Sequence, residues 1–214
     1  MEGLNWYNDK MNDFEKLYGE LRGQYGRPEG QWKLWCKRPK TKKEREEVII
    51  GAILTQRTNW KNVDLAINNL KKARVNSLES ILRLGKNKLA PLIKPSGFYR
   101  TKADYLFNLA KFMLKSHDSG SLAERRERLL ELKGIGPETA DSILLYALDK
   151  PVFVIDEYTR RLVKKRNLAK NLSYAFLQKL FEKNLKKDFR LYQDFHALIV
   201  IDGKNKTKLS KWKE

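Results

Sequence analysis

Apolar positions recur at helical spacing along nearly the whole chain. Leu4, Phe14, Leu17, Tyr18 and Leu21 mark a first amphipathic helix, closed by Gly23 and Gly26. The stretch 26–41 loses the period. Pro28, Gly30 and Pro39 interrupt it, and it reads as irregular, with Trp32 and Trp35 inside it. Val48, Ile49, Ala52, Ile53 and Leu54 then form one helix face, and Val63, Leu65, Ala66, Ile67 and Leu70 another. Leu78, Ile81, Leu82 and Leu84 predict a short helix, 89–93 a fragment that ends near Pro95, and 103–114 a longer amphipathic helix. Helical spans at 124–131 and 137–148 flank a corner that contains two glycines. Further helices are expected at 156–163, 176–185 and 192–201. No repeat or low-complexity stretch intervenes, and the chain reads as all-α.

Charge narrows the picture. The 214 residues carry 45 Lys+Arg against 26 Asp+Glu, a formal net charge of +19 that is spread along the chain. An apolar fraction of 41% suffices for a core. A folded protein this basic most plausibly meets a polyanion; a lysine-rich solvated surface is the plainer reading. Cys36 is the single cysteine, so no internal disulfide, cysteine-ligated zinc or iron–sulfur cluster can form. His117 and His196 are the two histidines, and no His/Asp/Glu cluster predicts a catalytic metal. No cofactor is expected. No apolar run approaches ~20 residues, and Asn5, Asp9, Asp13 and Glu15 do not make a signal peptide, so a cytoplasmic location is expected.

The corner itself reads Leu132-Lys133-Gly134-Ile135-Gly136-Pro137-Glu138-Thr139-Ala140-Asp141, and Val154-Ile155-Asp156 follows it. Glycine lets the backbone approach a ligand closely. Proline suits the first position of a helix, where its missing N–H is not needed. Amides of Ile135, Gly136 and the next turn, backed by the helix dipole, would make a phosphate seat. The plainer reading is a packed helix–loop–helix corner with Asp156 as an N-cap.

The pattern L-x-G-[VI]-G-x-x-T-A followed by V-x-D resembles the helix-hairpin-helix of the base-excision DNA glycosylases related to endonuclease III. The resemblance spans about 48–203 and is sharp at a few motifs. It implies a two-lobed fold: a six-helix domain at 44–150 carrying the hairpin, a discontinuous second domain from 1–43 plus 151–214, and an active site in the cleft between them. It implies damaged double-stranded DNA as the partner and a monomer. The four-cysteine cluster that many relatives carry near the C-terminus is absent here.

The resemblance also assigns roles. Asp156 falls on the family's catalytic aspartate, which would stabilise positive charge on the sugar and help to orient or deprotonate water. Gly134, Ile135, Gly136, Thr139 and Lys102 would hold the DNA backbone. Gln56, in Leu54-Thr55-Gln56-Arg57-Thr58, would fill the space left by a flipped base, and Phe98, in Gly97-Phe98-Tyr99, would wedge against the opposite strand. Phe98 could equally be a core aromatic at a helix start. Where bifunctional relatives carry the lysine that forms a Schiff base, this chain has Glu138, which cannot form an imine.

Trp32, Trp35 and Trp60, with Glu138, are expected to line the base pocket, because an indole face stacks well on a cationic alkylated purine. Two of these tryptophans could instead pack between lobes. His196, with Gly203-Lys204, matches the end of the family's last long helix and is read as structural or as support for Asp156. The leading expectation is a monofunctional glycosylase for alkylated purines such as 3-methyladenine. The alternatives are a glycosylase for oxidised pyrimidines or mismatched uracil or thymine with weak lyase activity, and a non-catalytic DNA-binding module.

Overall fold

Asn12, Thr41, Ser77 and Ser121 each start a helix by accepting the backbone N–H three residues on, while Glu15, Glu44, Ser80 and Glu124 bond back to the cap. These capping boxes satisfy amides that a helix start would otherwise leave bare. In this computed structural model, which describes residues 12–115 and 120–210, all regular structure is helical. Leu4 and His117 lie outside the described residues. Two compact units result, one from 1–36 and 151–214, the other from 37–150.

The discontinuous unit holds α1 (Asp13–Tyr25), α2 (Trp32–Trp35), and the last three helices, α10 (Glu157–Lys165), α11 (Tyr174–Asn184) and α12 (Phe189–Ser210). The single turn α2 lies within the stretch read as irregular. It buries both of its tryptophans. α12 packs on α1 and α10. Phe153 stacks on Phe181 with 4.3 Å between centroids and meets Tyr192 and Phe195 edge-on. Each fully buried ring of this kind contributes about 1.5–3 kcal/mol.

The continuous unit is built around α3 (Lys42–Leu54), whose residues 48–54 are all buried. α4 (Trp60–Lys72), α7 (Tyr99–Lys115) and the segment Ile143–Ala147 pack on it. α5 (Leu78–Leu84), α6 (Lys86–Leu92) and the 3₁₀ turn Lys94–Ser96 cover α7 and α4. α8 (Leu122–Leu130) and α9 (Pro137–Ser142) form the hairpin, and α9 runs on into Ile143–Ala147 with π-helical spacing. Residues 37–43 belong to this unit and not to the discontinuous one. Lys40 lies 3.7 Å from Asp149, and Thr41 caps α3. No described helix is long and apolar enough to cross a membrane.

Candidate active site

In the discontinuous unit, Val154 and Ile155 are fully buried and carry the chain to Asp156, the N-cap of α10. Asp156 Oδ1 accepts the Thr159 backbone N–H at 2.7 Å and the Thr159 hydroxyl at 2.9 Å. Its other oxygen, Oδ2, lies 3.6 Å from His196 Nε2. Burial opposes ionisation, but His196 and the two Thr159 bonds outweigh it, and the carboxyl is held below its ordinary value. The side chain keeps 13% of its surface exposed, so the anion remains reachable. N-capping and a functional carboxylate coexist here in one residue.

The long helix α12 frames this corner. His196 and Gly203 are seven residues apart, two helical turns, and so share a face. A Cβ on Gly203 would come within 2.3 Å of the Tyr158 ring, so this glycine is what lets α10 pack closely on α12. Trp32 meets the His196 ring edge-on at 5.9 Å, and Trp35 meets Trp32 in the same way. Trp32 and Trp35 are therefore buried around the histidine that touches Asp156.

In the continuous unit a cavity of about 670 Å³ opens at the hairpin. Gly134, Ile135, Gly136, Glu138 and Thr139 form one wall, Gln56 and Arg57 a second, and Phe98 and Tyr105 a third. Gly134 has φ +87°, and a Cβ there would penetrate the Tyr105 ring at 2.3 Å. Gly136 is different: its backbone is extended, nothing lies within 4 Å of a Cβ built on it, and no side chain caps the α9 start behind it. The hairpin is braced from below by Arg126, whose guanidinium donates to both oxygens of the fully buried Asp141 at 2.7 and 3.0 Å.

Several expected residues take other parts. Lys102 is not on the surface and cannot reach phosphate. It is 2% exposed, and its ammonium donates to the carbonyls of Leu54 and Ser96 at 2.9 and 2.7 Å. It thereby closes the C-terminal end of α3 and the 3₁₀ turn, and burial pushes it down to about 8. Thr139 is buried, with its hydroxyl accepting the Gln56 amide at 3.1 Å; the same amide donates to Gly134 O at 2.9 Å. Gln56 thus ties the end of α3 to the hairpin. Trp60, at the first position of α4, does not line the cavity that Glu138 lines; its indole bonds Asp64 instead.

Phe98 is 65% exposed with φ +47°, so it is no core residue. Arg57, also exposed, has φ +49° and flanks the same cavity. Left-handed backbone at two bulky, solvent-facing residues is uncommon and concentrates at functional sites. Arg57, Tyr105, Thr159 and the Arg126–Asp141 pair were not singled out from the sequence. Only Thr159 had a local signal, as the third residue after a capping aspartate. Among the described residues no group of three or more His, Cys, Asp or Glu could hold a metal.

Residues 50–187 match the family model described as HhH-GPD superfamily base excision DNA repair protein. A Methanocaldococcus jannaschii protein provisionally named a DNA repair glycosylase is 42% identical over 204 residues, covering 89% of this chain and 88% of that one. The crystal structure of H. pylori 3-methyladenine DNA glycosylase bound to 1,N6-ethenoadenine superposes with a TM-score of 0.72 at 32% identity, covering 92% of this chain and 99% of that one. Endonuclease III in a non-covalent DNA complex shares the fold, with a TM-score of 0.69 at 17% identity over 89% of this chain and 85% of that one.

Proposed function

The chain belongs to the HhH-GPD superfamily of base excision DNA repair proteins and is a DNA glycosylase of that family, and on that premise we propose that it is monofunctional and releases alkylated purines, 3-methyladenine foremost, from double-stranded DNA. The carrying observation is Glu138. It stands exposed on the cavity wall, at the second position of α9, where a lysine would be needed for imine chemistry. Lys102 lines the same cavity with a depressed pKa, the usual mark of a nucleophilic amine. Its protons are committed to two carbonyls and its nitrogen is buried, which leaves no path for attack.

Water then takes the role of nucleophile. As the bond from C1′ to the base nitrogen breaks, its electron pair leaves with the base and positive charge grows on the sugar. The Asp156 carboxylate, kept ionised by His196 and Thr159, stabilises that charge. Water oxygen bonds C1′, and its proton passes to the carboxylate. A methylated purine is already cationic, so it departs with little need for protonation. Trp32 and Trp35 are buried around His196 and support the carboxylate corner instead of offering an open stacking face, and the H. pylori enzyme's 3-methyladenine activity supports the substrate class. Gln56 and Phe98 serve the flipped state, one as filler and the other as wedge.

Two assays on one sample test the proposal. Methylated DNA should yield free 3-methyladenine by chromatography and leave alkali-labile abasic sites. Borohydride should trap no covalent adduct, because only a Schiff base is reduced to one. An adduct on damaged DNA, or release confined to oxidised pyrimidines, would overturn it.

A further inference from the structure

A second recess, of about 500 Å³, lies on the other flank of the hairpin approach. Lys111, Phe112 and Lys115 on the last turns of α7 form one side; Leu132 and Lys133, just before the hairpin glycines, form the other. Lys111 and Lys115 are four residues apart and share a helix face, with the half-buried Phe112 beside them as an apolar floor. All three lysines are exposed and make no ion pair among the described residues. Among the described residues Glu131 is the one acid on the rim, which sets three ammoniums against one carboxylate. Three like charges held together without partners repel one another, and an anion relieves that repulsion.

The chain order fixes what kind of anion. Lys133 lines this recess, and its neighbour Gly134 lines the cavity at the hairpin. Lys133 and Gly136 are three residues apart and span at most about 10 Å, within the reach of phosphates close together on one strand. We propose that the recess between Lys111, Lys115 and Lys133 seats a second backbone phosphate of the duplex, on the same strand as the phosphate received at Gly136. This rests on the DNA glycosylase reading. Phe112 would pack against the adjoining sugar. A grip at Gly136 would be made by backbone N–H groups, whereas this one would be made mainly by charge, so the two would differ in how they respond to salt.

The test is a thermodynamic cycle on binding to an abasic-site duplex, read by fluorescence anisotropy at several salt concentrations. Lys111→Gln with Lys115→Gln should lower the slope of log K against log salt by about 0.9, the value for one neutralised phosphate. Single neutral methylphosphonate linkages placed along the strand should each cost the wild type affinity, and one of them should cost the double variant nothing. Lys72→Gln is the control. That lysine ends α4, about 18 Å along the helix from the loop that carries Gln56, and its slope should match wild type. An unchanged slope in the double variant, or additive costs at every linkage, overturns the inference while wild-type base release still stands. Wild-type protein that releases no base and shows no salt-dependent binding overturns the glycosylase reading as well.

Discussion

Asp156 and Gly136 hold the same position in their helices, the N-cap, and treat it in opposite ways. Asp156 fills the first turn of α10 with its own carboxylate, 2.7 Å from the Thr159 amide. Gly136 leaves the first turn of α9 without a side-chain cap, facing a cavity. Both helix ends favour negative charge. One has it built in; the other leaves its first amides uncapped beside the cavity, where the proposed reading seats a phosphate. On that reading a single physical preference serves two tasks, and the residue at the cap decides which.

Removing the charge but not the cap breaks the comparison on its chemical side. Asp156→Asn keeps a side-chain oxygen for Thr159, since asparagine caps as well as aspartate. Base release should fall on the order of 10²–10⁴-fold, the scale of a lost general base or charge stabiliser, while affinity for an abasic duplex stays near wild type. Single-turnover release and anisotropy check both. Release at the wild-type rate would remove Asp156 from the mechanism.

Giving the open cap a carboxylate breaks the comparison on the other side. Gly136 is extended and has open space around a Cβ, so Gly136→Asp should be accommodated and change stability by only a few tenths of a kcal/mol. The new anion would occupy the seat and repel phosphate, and duplex affinity should drop about tenfold or more, which is about 1.4 kcal/mol. Gly134→Ala makes the reverse pattern. The positive φ and the Tyr105 ring make a Cβ there costly, about 1–3 kcal/mol from overpacking alone. That appears as a fall in Tm of about 2–4 °C per kcal/mol for a chain of this size. Equal Tm losses at both glycines would mean that both are packing residues.

The two glycines also measure what the sequence discloses. Their pairing before Pro137, and the acid after an apolar run, were legible because corners and caps depend on residues close in sequence. The helices were legible for the same reason, from apolar spacing alone. The sequence alone makes Lys102 look like a surface lysine, because its burial depends on Leu54 and Ser96 arriving from elsewhere in the unit. A lysine near a glycine loop looks exposed until two carbonyls claim it. Residue type groups Trp60 with Trp32 and Trp35, whereas the fold places it on a different unit. The Arg126–Asp141 brace left no trace at all, since an arginine and an aspartate fifteen residues apart carry no local signal.

The smallest expected effect sharpens how Asp156 is held. His196 is second to burial among the influences on that carboxyl and the first that favours its ionised form. His196→Asn removes the imidazole 3.6 Å from Oδ2 and leaves the Thr159 bonds in place. The sign follows directly. A group whose folded pKa is depressed is active above that value and fails as pH falls through it. Losing a depressing partner raises the value, so the acid limb of the pH–rate profile should move upward, toward the ordinary aspartate range. At neutral pH the carboxylate is still ionised, and release should fall only a few-fold, from looser positioning. A histidine that merely packs against Trp32 would lower Tm and leave the acid limb where it is. A limb that moves while Tm barely changes identifies the imidazole as the group that sets the charge on Asp156.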